Sequence, residues 1–451
     1  MLRKPFFLFL PLWLLLQLTA SGQTYSWQSL ANAPTSGGKQ DDVYFINPDT
    51  GFCVNGLGRI FRTVNRGQTF SQLLQKTGTY FRAIVALDAR HLFAGNIGTN
   101  YFPNVSDTTV LYRSDDAGTT WSHVPYSGPR LSGICAFSMV QTPFINAGIL
   151  DTQTTIVAGG RVGGPAHLLR SDDGGQTWTS RSLASQIGMI TDVHFFHPDS
   201  GFVFGGSSSN IAVSRAKIIF TADGGQTWTT VYQSDRNYET IWKGHFPSRS
   251  VGYATVLSYN TGNNTRYVAK TVDGGQSWAD KQVSTNGAQF FGIGFITDSL
   301  GWIGSNGTGF KTTNGGATWT SGGLTQACNK IRILRRGSEV FGYGIGVGIS
   351  RLRVVPVTEV EELRLSSGNL RVYPNPSQAQ EAMISFPEDF GSVQSLDILD
   401  FMGRKVPVRY RIDGQEIHLD DNVAAGQYLA RIRFSAAGMQ QIRFQVQNGK
   451  P

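Results

Sequence analysis

Cysteine is scarce in this chain: Cys53, Cys135 and Cys328 are the only three among 451 residues. An odd, small number excludes a disulfide framework, and a chain this long can bury a large core without covalent staples. The expectation is three buried thiols, with a Cys53–Cys328 bridge open if the first and last units of the fold meet. Charge is thin as well, at 16% Asp, Glu, Lys and Arg. No basic run interleaved with aromatics occurs, which argues against a nucleic-acid partner. Glutamate is nearly missing from residues 23–355, where only Glu239 and Glu339 are found. No Cys/His cluster has metal-ligand spacing and no Gly-x-Ser-x-Gly elbow is present, so no metal, cofactor or serine nucleophile is expected. His194 and His197 stand three apart in a strand-like segment and point to opposite faces.

Long apolar runs are also absent, with one exception. Arg3 and Lys4 precede the stretch Phe6–Leu18, which Pro11 interrupts, and Ala20-Ser21-Gly22 follows. This is the pattern of a secretory signal, residues 1–22, cut before Gln23. The stretch is too short to cross a bilayer comfortably, and no transmembrane segment is expected. The formal net charge is +8; from Pro356 onward 10 Lys/Arg stand against 12 Asp/Glu, so the basic surplus belongs to residues 23–355. Such a surplus favours an anionic partner or simply solubility.

What the chain has in quantity is glycine, 54 residues, much of it in one repeated octapeptide. Ser171–Trp178 reads SDDGGQTW, and it recurs as SDDAGTTW (114–121), TADGGQTW (221–228), TVDGGQSW (271–278), TTNGGATW (312–319) and a worn TVNRGQTF (63–70). The fifth positions, Gly67, Gly118, Gly175, Gly225, Gly275 and Gly316, are 51, 57, 50, 50 and 41 residues apart. Recurrence at that period means an array of small units, none able to bury a core alone. The third residues (Asp116, Asp173, Asp223, Asp273, Asn314) can fold back onto backbone N–H groups ahead of them, and glycine accepts positive φ. An apolar run precedes each box and a strand-like run follows, so the box is a hairpin turn. Its aromatic (Trp121, Trp178, Trp228, Trp278, Trp319) is an apolar anchor whose indole N–H needs an acceptor.

A second motif precedes the boxes: Phe45 to Phe52 (FINPDTGF) is echoed by residues 196–202, 246–253 and 295–302. Each echo reads as strand, turn, strand. A unit is then strand a, short turn, strand b, variable loop, strand c, box, strand d, and four antiparallel strands per roughly 45 residues describe a propeller blade. Residues 331–352 repeat a, b and c without a box, while Tyr25–Leu30 resembles an isolated strand d. The expected fold is all-β: a seven-bladed β-propeller over residues 23–355, closed by Tyr25–Leu30 pairing near Gly348–Arg353, which leaves no open sheet edge. A linker at 356–368 leads to a small β-sandwich at 369–451.

The box residues resemble the Asp-box, or bacterial neuraminidase repeat, of sialidases, sortilin-type receptors and photosystem II assembly-factor propellers. The resemblance to the last group covers residues 40–325, most fully at Gly301–Trp319. It implies a propeller and says little of activity, since unrelated functions share it. The tail is similar to the type A sorting domain of the Bacteroidetes type IX secretion system, in Tyr373-Pro374-Asn375-Pro376, in Asp400-x-x-Gly403-Arg404 and in Ala425-Gly426-x-Tyr428. That likeness implies passage through the outer membrane on the type IX machinery, removal of the tail, and release or attachment at the cell surface.

A sialidase-like site needs an arginine cluster, a Tyr–Glu pair and an Arg-Ile-Pro segment; this chain has Arg59-Ile60-Phe61 and little glutamate. Paired aspartates are the other route to glycoside hydrolysis, and Asp41, Asp42, Asp192, Asp235 and Asp298 are candidates. The reading is therefore a monomeric binding propeller with no catalytic residues, the alternative being a secreted glycoside hydrolase. Boxes and a–b turns share one face. On the other lie the variable b–c loops, residues 97–109, 161–166, 207–216 and 258–265, and variable loops on a rigid scaffold carry recognition. Tyr101, Phe102, Arg161, Arg215 and Tyr259, with Arg130, Arg236, Tyr238 and Glu239 in the links, are the candidate contacts for a glycan or protein.

Overall fold

The computed structural model describes residues 24–35, 40–146, 149–324, 326–336, 339–355, 370–373, 377–378, 382–400, 405–419, 423, 426–436 and 438–447. The expected signal (1–22) and linker (356–368) lie outside them, as do Pro374, Asn375, Pro376 and Gly403 of the tail motifs. The chain divides into two compact units, Met1–Pro356 and Val357–Pro451. Among the described residues no helix is long and apolar enough to cross a membrane.

Among the described residues the first unit forms seven four-stranded antiparallel sheets. Sheet 1 holds Gln40–Phe45, Gly51–Asn55, Arg59–Thr63 and Ser71–Gln75; sheet 2 holds Phe81–Ala86, Leu92–Asn96, Leu111–Ser114 and Ser122–His123. Sheet 3 holds Ala136–Asn146, Ile149–Gly159, His167–Ser171 and Thr179–Ser182; sheet 4 holds Met189–His197, Ser200–Gly206, Ala216–Thr221 and Thr229–Gln233. Sheet 5 holds Glu239–His245, Gly252–Ser258, Arg266–Thr271 and Ala279–Ser284; sheet 6 holds Phe290–Phe295, Gly301–Ser305, Phe310–Thr312 and Thr320–Ser321. In sheet 7, Cys328–Arg336, Glu339–Gly346 and Ile349–Val355 are joined by the N-terminal strand Thr24–Ser29. The first strands of successive sheets touch in an unbroken cycle that returns from sheet 7 to sheet 1. The fold is a β-propeller.

Closure occurs where the sequence places it. Trp27 pairs with Leu352 and Ser29 with Ser350, and Leu30 N–H extends the ladder to Ile349 O at 2.9 Å. The Trp27 ring meets Trp302 edge-on at 5.7 Å, which buries the latch in the core between sheets 6 and 7.

Seven apolar clusters fill the spaces between neighbouring sheets. The second sequence motif is the device that packs them. The phenylalanine ending strand a lies flat over the glycine opening strand b, so a Cβ on Gly201 would come within 2.4 Å of Phe195 and one on Gly301 within 2.2 Å of Phe295. All three cysteines are buried and unpaired, Cys53 between sheets 7 and 1 and Cys328 between sheets 6 and 7. Burial raises both thiols, that of Cys328 to about 12, so neither is a nucleophile.

The second unit is a β-sandwich. One sheet runs Arg371–Tyr373, Met383–Ser385, Glu416–Leu419, Tyr410–Asp413; the other runs Ser377–Gln378, Gly438–Gln447, Gly426–Phe434, Val393–Asp400, Lys405–Val406. Ile384, Ile398, Ile417, Ile432 and Phe434 lie in the core between them. Asp400 and Tyr428, from two different tail motifs, are cross-strand partners in the second sheet.

Candidate functional site

The boxes consume their own polar atoms. In the third sheet Gly175 N–H donates to Ser171 Oγ (2.8 Å), Thr177 N–H donates to Asp173 Oδ1 (2.9 Å), and the Thr177 hydroxyl donates to Oδ2 (2.6 Å). Trp178 Nε1 closes the turn on Gly175 O at 3.0 Å. The pattern repeats around Asp116, Asp223 and Asp273, and Asn314 reproduces it with its amide. Trp121, Trp228 and Trp278 find the equivalent carbonyl, whereas Trp319 Nε1 is buried without a partner among the described residues. Hydrogen bonds from Thr120 and Ser277 pull Asp116 and Asp273 down to about 2, and Asp223 is lowered by Thr227 in the same way. Partial burial opposes the shift at Asp173, but the bonds from Thr177, Ser171 and Gln176 still lower it. Cations preceding the boxes tie one sheet to the next: Arg113 reaches Gly175 O (3.4 Å), Arg170 reaches Gly224 O (3.4 Å) and Lys270 reaches Gly315 O (2.7 Å). All of this is scaffold.

On the opposite face the b–c loops of sheets 2, 3 and 5 converge on one mouth of the central channel. The Tyr80 ring lies against Gly56 and stacks on Phe102 at 5.0 Å; Tyr101 meets Phe102 edge-on at 4.7 Å. Arg161 crosses from the neighbouring loop to donate to Thr99 O (2.8 Å), with its guanidinium 5.6 Å from the Tyr101 ring centre. Burial raises the Tyr101 hydroxyl to about 12, and Tyr259 stands on the same face, in the b–c loop of sheet 5. Tyr259 N–H donates to Tyr238 O at 2.8 Å, and Phe102, Tyr238 and Tyr259 remain 36%, 42% and 38% exposed. Arg215 is exposed and reaches Asn237 Oδ1 at 3.4 Å, while Arg130 stands exposed on the link between sheets 2 and 3.

Arg236 and Glu239 belong elsewhere. Glu239 is only 3% exposed, and Arg236 binds it at 2.7 Å, binds Asp280 at 2.6 Å and covers the Tyr267 ring at 4.2 Å. The two residues hold sheet 5 together through one another and Asp280.

Sequence reasoning missed the interior of the channel, although its charges interrupt otherwise apolar inner strands. Nearest the loop face, Arg82 of sheet 2 pairs with Asp41 of sheet 1 and lies 5.1 Å from the Trp242 ring of sheet 5. Trp242 Nε1 donates to Asn329 Oδ1 of sheet 7 at 3.1 Å. These contacts cross the ring and plug it. Toward the box face follow two layers, set by the two-residue strand period. The deeper layer holds Asp42, Asp192, Lys243 and Lys330, and above it stand Tyr44, His194, His245 and Arg332. All of them except Asp42, which is held by Lys330 and Arg332, line a cavity of about 350 Å³. Asp42 is bound by Lys330 (2.7 Å) and Arg332 (3.3 Å), and Asp192 by Lys243 (3.4 Å) and Gly244 N–H (3.0 Å). Burial, with Arg332 nearby, pushes Lys330 down to about 7, and burial takes both histidines to about 4, so they are neutral at pH 7.

Of the five candidate carboxylates, Asp41, Asp42 and Asp192 are thus neutralised inside the channel. Asp235 is 88% exposed beside Arg236, and Asp298 is exposed at an a–b turn on the box side.

The chain is similar to solved β-propellers. YCF48 from Cyanidioschyzon merolae is 16% identical with a TM-score of 0.50, over 72% of this chain and 98% of that one. An ancestral GH74 enzyme is 12% identical with a TM-score of 0.50, over 93% of this chain but 63% of that one. U3-55K is 8% identical with a TM-score of 0.51, over 72% of this chain and 98% of that one. No family model matches the chain, and no curated protein matches it. The likenesses define the class of fold and stop there.

Proposed function

We propose that the protein is an exported, non-catalytic binding propeller that holds a glycan, or failing that a protein, at the channel mouth opposite the boxes. The observation that carries this reading is the pair Tyr101 and Phe102 beside an Arg161 already fixed by Thr99, with Tyr238 and Tyr259 exposed on the same face. Exposed rings held rigidly beside an arginine suit the apolar face of a sugar, and cost little conformational entropy on binding. Against a hydrolase stands the state of the carboxylates: a glycosidase needs two of them roughly 5–9.5 Å apart and facing the scissile bond. The boxes are taken as Asp-boxes with a purely structural role. The second unit is taken as a type IX sorting domain on the strength of its three motifs, which would carry the propeller to the cell surface.

A glycan array and a pull-down with the propeller test the reading, run beside a release assay on fluorogenic glycosides. Binding that disappears in a Tyr101→Ala, Phe102→Ala, Tyr259→Ala variant, with no sugar released by the parent chain, is the expected result. Release of sugar, or binding untouched by the triple substitution, would replace it with the hydrolase or with another surface.

A further inference from the structure

We infer that the box-side end of the channel is a second binding site, which takes a single carboxylate carried on an apolar body. The Arg82–Asp41–Trp242–Asn329 plug separates it from the loop-face mouth.

Charge sets the ligand. With Lys330 protonated, the cavity wall carries three cations (Lys243, Lys330, Arg332) and one carboxylate (Asp192), and Asp42, buried behind the wall on Lys330 and Arg332, adds a second carboxylate. One positive charge is left over in a largely desolvated space, where an uncompensated charge is costly. A monoanion brings the sum to zero and favours the protonated lysine; a dianion overshoots. Donors are available to receive it. Arg332 spends Nε on Val43 O (2.9 Å) and Nη2 on Asp42, leaving Nη1 without a partner among the described residues, and its side chain is 24% exposed. His194 makes ring contacts with Phe196 and Phe246 but no hydrogen bond among the described residues, so it can add a second donor.

Shape and walls set the rest of the molecule. The cavity of 350 Å³ has room for roughly a dozen waters' worth of ligand at ~30 Å³ each. Phe137, Met139, Ile331 and Ile333 add apolar lining beside the polar layers. Two hairpins stand above them. Ala136–Asn146 and Ile149–Gly159 pair along their whole length, yet only Ile156–Gly159 pair onward to the next strand. Likewise Cys328–Arg336 and Glu339–Gly346 run past the Gly342–Ile345 segment that pairs onward. Both open on the box side, so sheets 3 and 7 raise two arms at this mouth, where the other a–b hairpins stop short.

Calorimetry on the full chain tests the site, with 4-phenylbutyrate as probe, 4-phenylbutyramide as its neutral counterpart and sulfate as the dianion. The expected result is saturable binding of the acid, at least tenfold weaker binding of the amide, and none of sulfate. Arg332→Gln should abolish acid binding and Arg332→Lys should retain part of it. A peptide ending in a free apolar carboxylate supports the site if it binds as well, and its rank against phenylbutyrate distinguishes a polypeptide end from a small free acid. Equal binding of acid and amide, preference for sulfate, or binding unchanged in Arg332→Gln would overturn the inference. Should Arg332→Gln fail to fold, the acid–amide comparison on the parent chain decides alone. The Tyr101, Phe102 and Tyr259 variant should bind the acid normally, so this site and the loop-face reading fail separately.

Discussion

Two adjacent glycines of one box should respond very differently to the same methyl group. Gly174 and Gly175 both have positive φ, +69° and +88°, so alanine at either suffers left-handed strain of about 1–2 kcal/mol, partly offset by about 0.4–1 kcal/mol of unfolded-state entropy. They differ in space. A Cβ on Gly174 finds nothing closer than 3.8 Å, but one on Gly175 falls 2.1 Å from Cζ of Phe93, a ring only 1% exposed and unable to swing aside. Overpacking of that kind adds about 1–3 kcal/mol. Gly174→Ala should therefore cost about 1 kcal/mol or less and Gly175→Ala about 2–4 kcal/mol. The chain itself supports the first figure, since Ala117 and Arg66 occupy the fourth box position at φ +63° and +61°. Gly225→Ala, 3.2 Å from the Trp228 ring, should fall between the two. Guanidinium denaturation of the three variants, compared at unchanged m-value, reads the differences directly. Equal costs for Gly174→Ala and Gly175→Ala would refute the claim that Gly175 is fixed by packing against the neighbouring sheet.

Three further outcomes are expected. Trp178→Ala, which removes a ring 3% exposed and 5.3 Å edge-on from Phe93, should cost about 3–5 kcal/mol in the same assay; a loss below 1 kcal/mol would mean the box aromatic is not a core residue. Asp116 and Asp273 titrate at about 2 in the fold against a usual 3.8, so their contribution is whole above pH 4 and is lost as pH falls through 2. Acid titration of an Asp116→Asn, Asp273→Asn variant should accordingly show a shallower loss of stability between pH 4 and 2 than the parent, and an identical slope would contradict the assignment. Deleting residues 369–451 should leave a folded propeller trapped in the periplasm of an exporting host, whereas normal secretion of the truncated chain would defeat the sorting reading.

Local chemistry made the scaffold legible. A box is eight consecutive residues whose side chains bond to one another, and the Phe–Gly device spans seven, so both are written in contiguous sequence, although in sheet 4 the ring over Gly201 is Phe195, one residue before the echo at 196–202. Even the closing strand could be found, because a lone strand d at one end and a unit lacking its strand d at the other complement each other. The channel was hidden for the opposite reason. Asp42 and Arg332 are 290 residues apart, and a charge inside an apolar run names no partner until the ring is closed. Asp41, Asp42 and Asp192 could thus be singled out as carboxylates, but not recognised as neutralised. Arg236 and Glu239 fell in a link and suggested a ligand face; Asp280, more than forty residues on, draws Arg236 into sheet 5. The arms of sheets 3 and 7 show that the box face is not uniformly short-turned. Turn length there depends on how far a hairpin outruns the strand beside it, and single-strand patterns do not encode that.

Hydrogen exchange of the propeller with and without a glycan captured from the array tests the central claim most directly. Recognition at the loop-face mouth predicts protection confined to residues 97–109, 161–166, 237–238 and 258–265, with the box turns unchanged and the glycan recovered intact. Protection centred on the box turns, or a glycan returned cleaved, would contradict it.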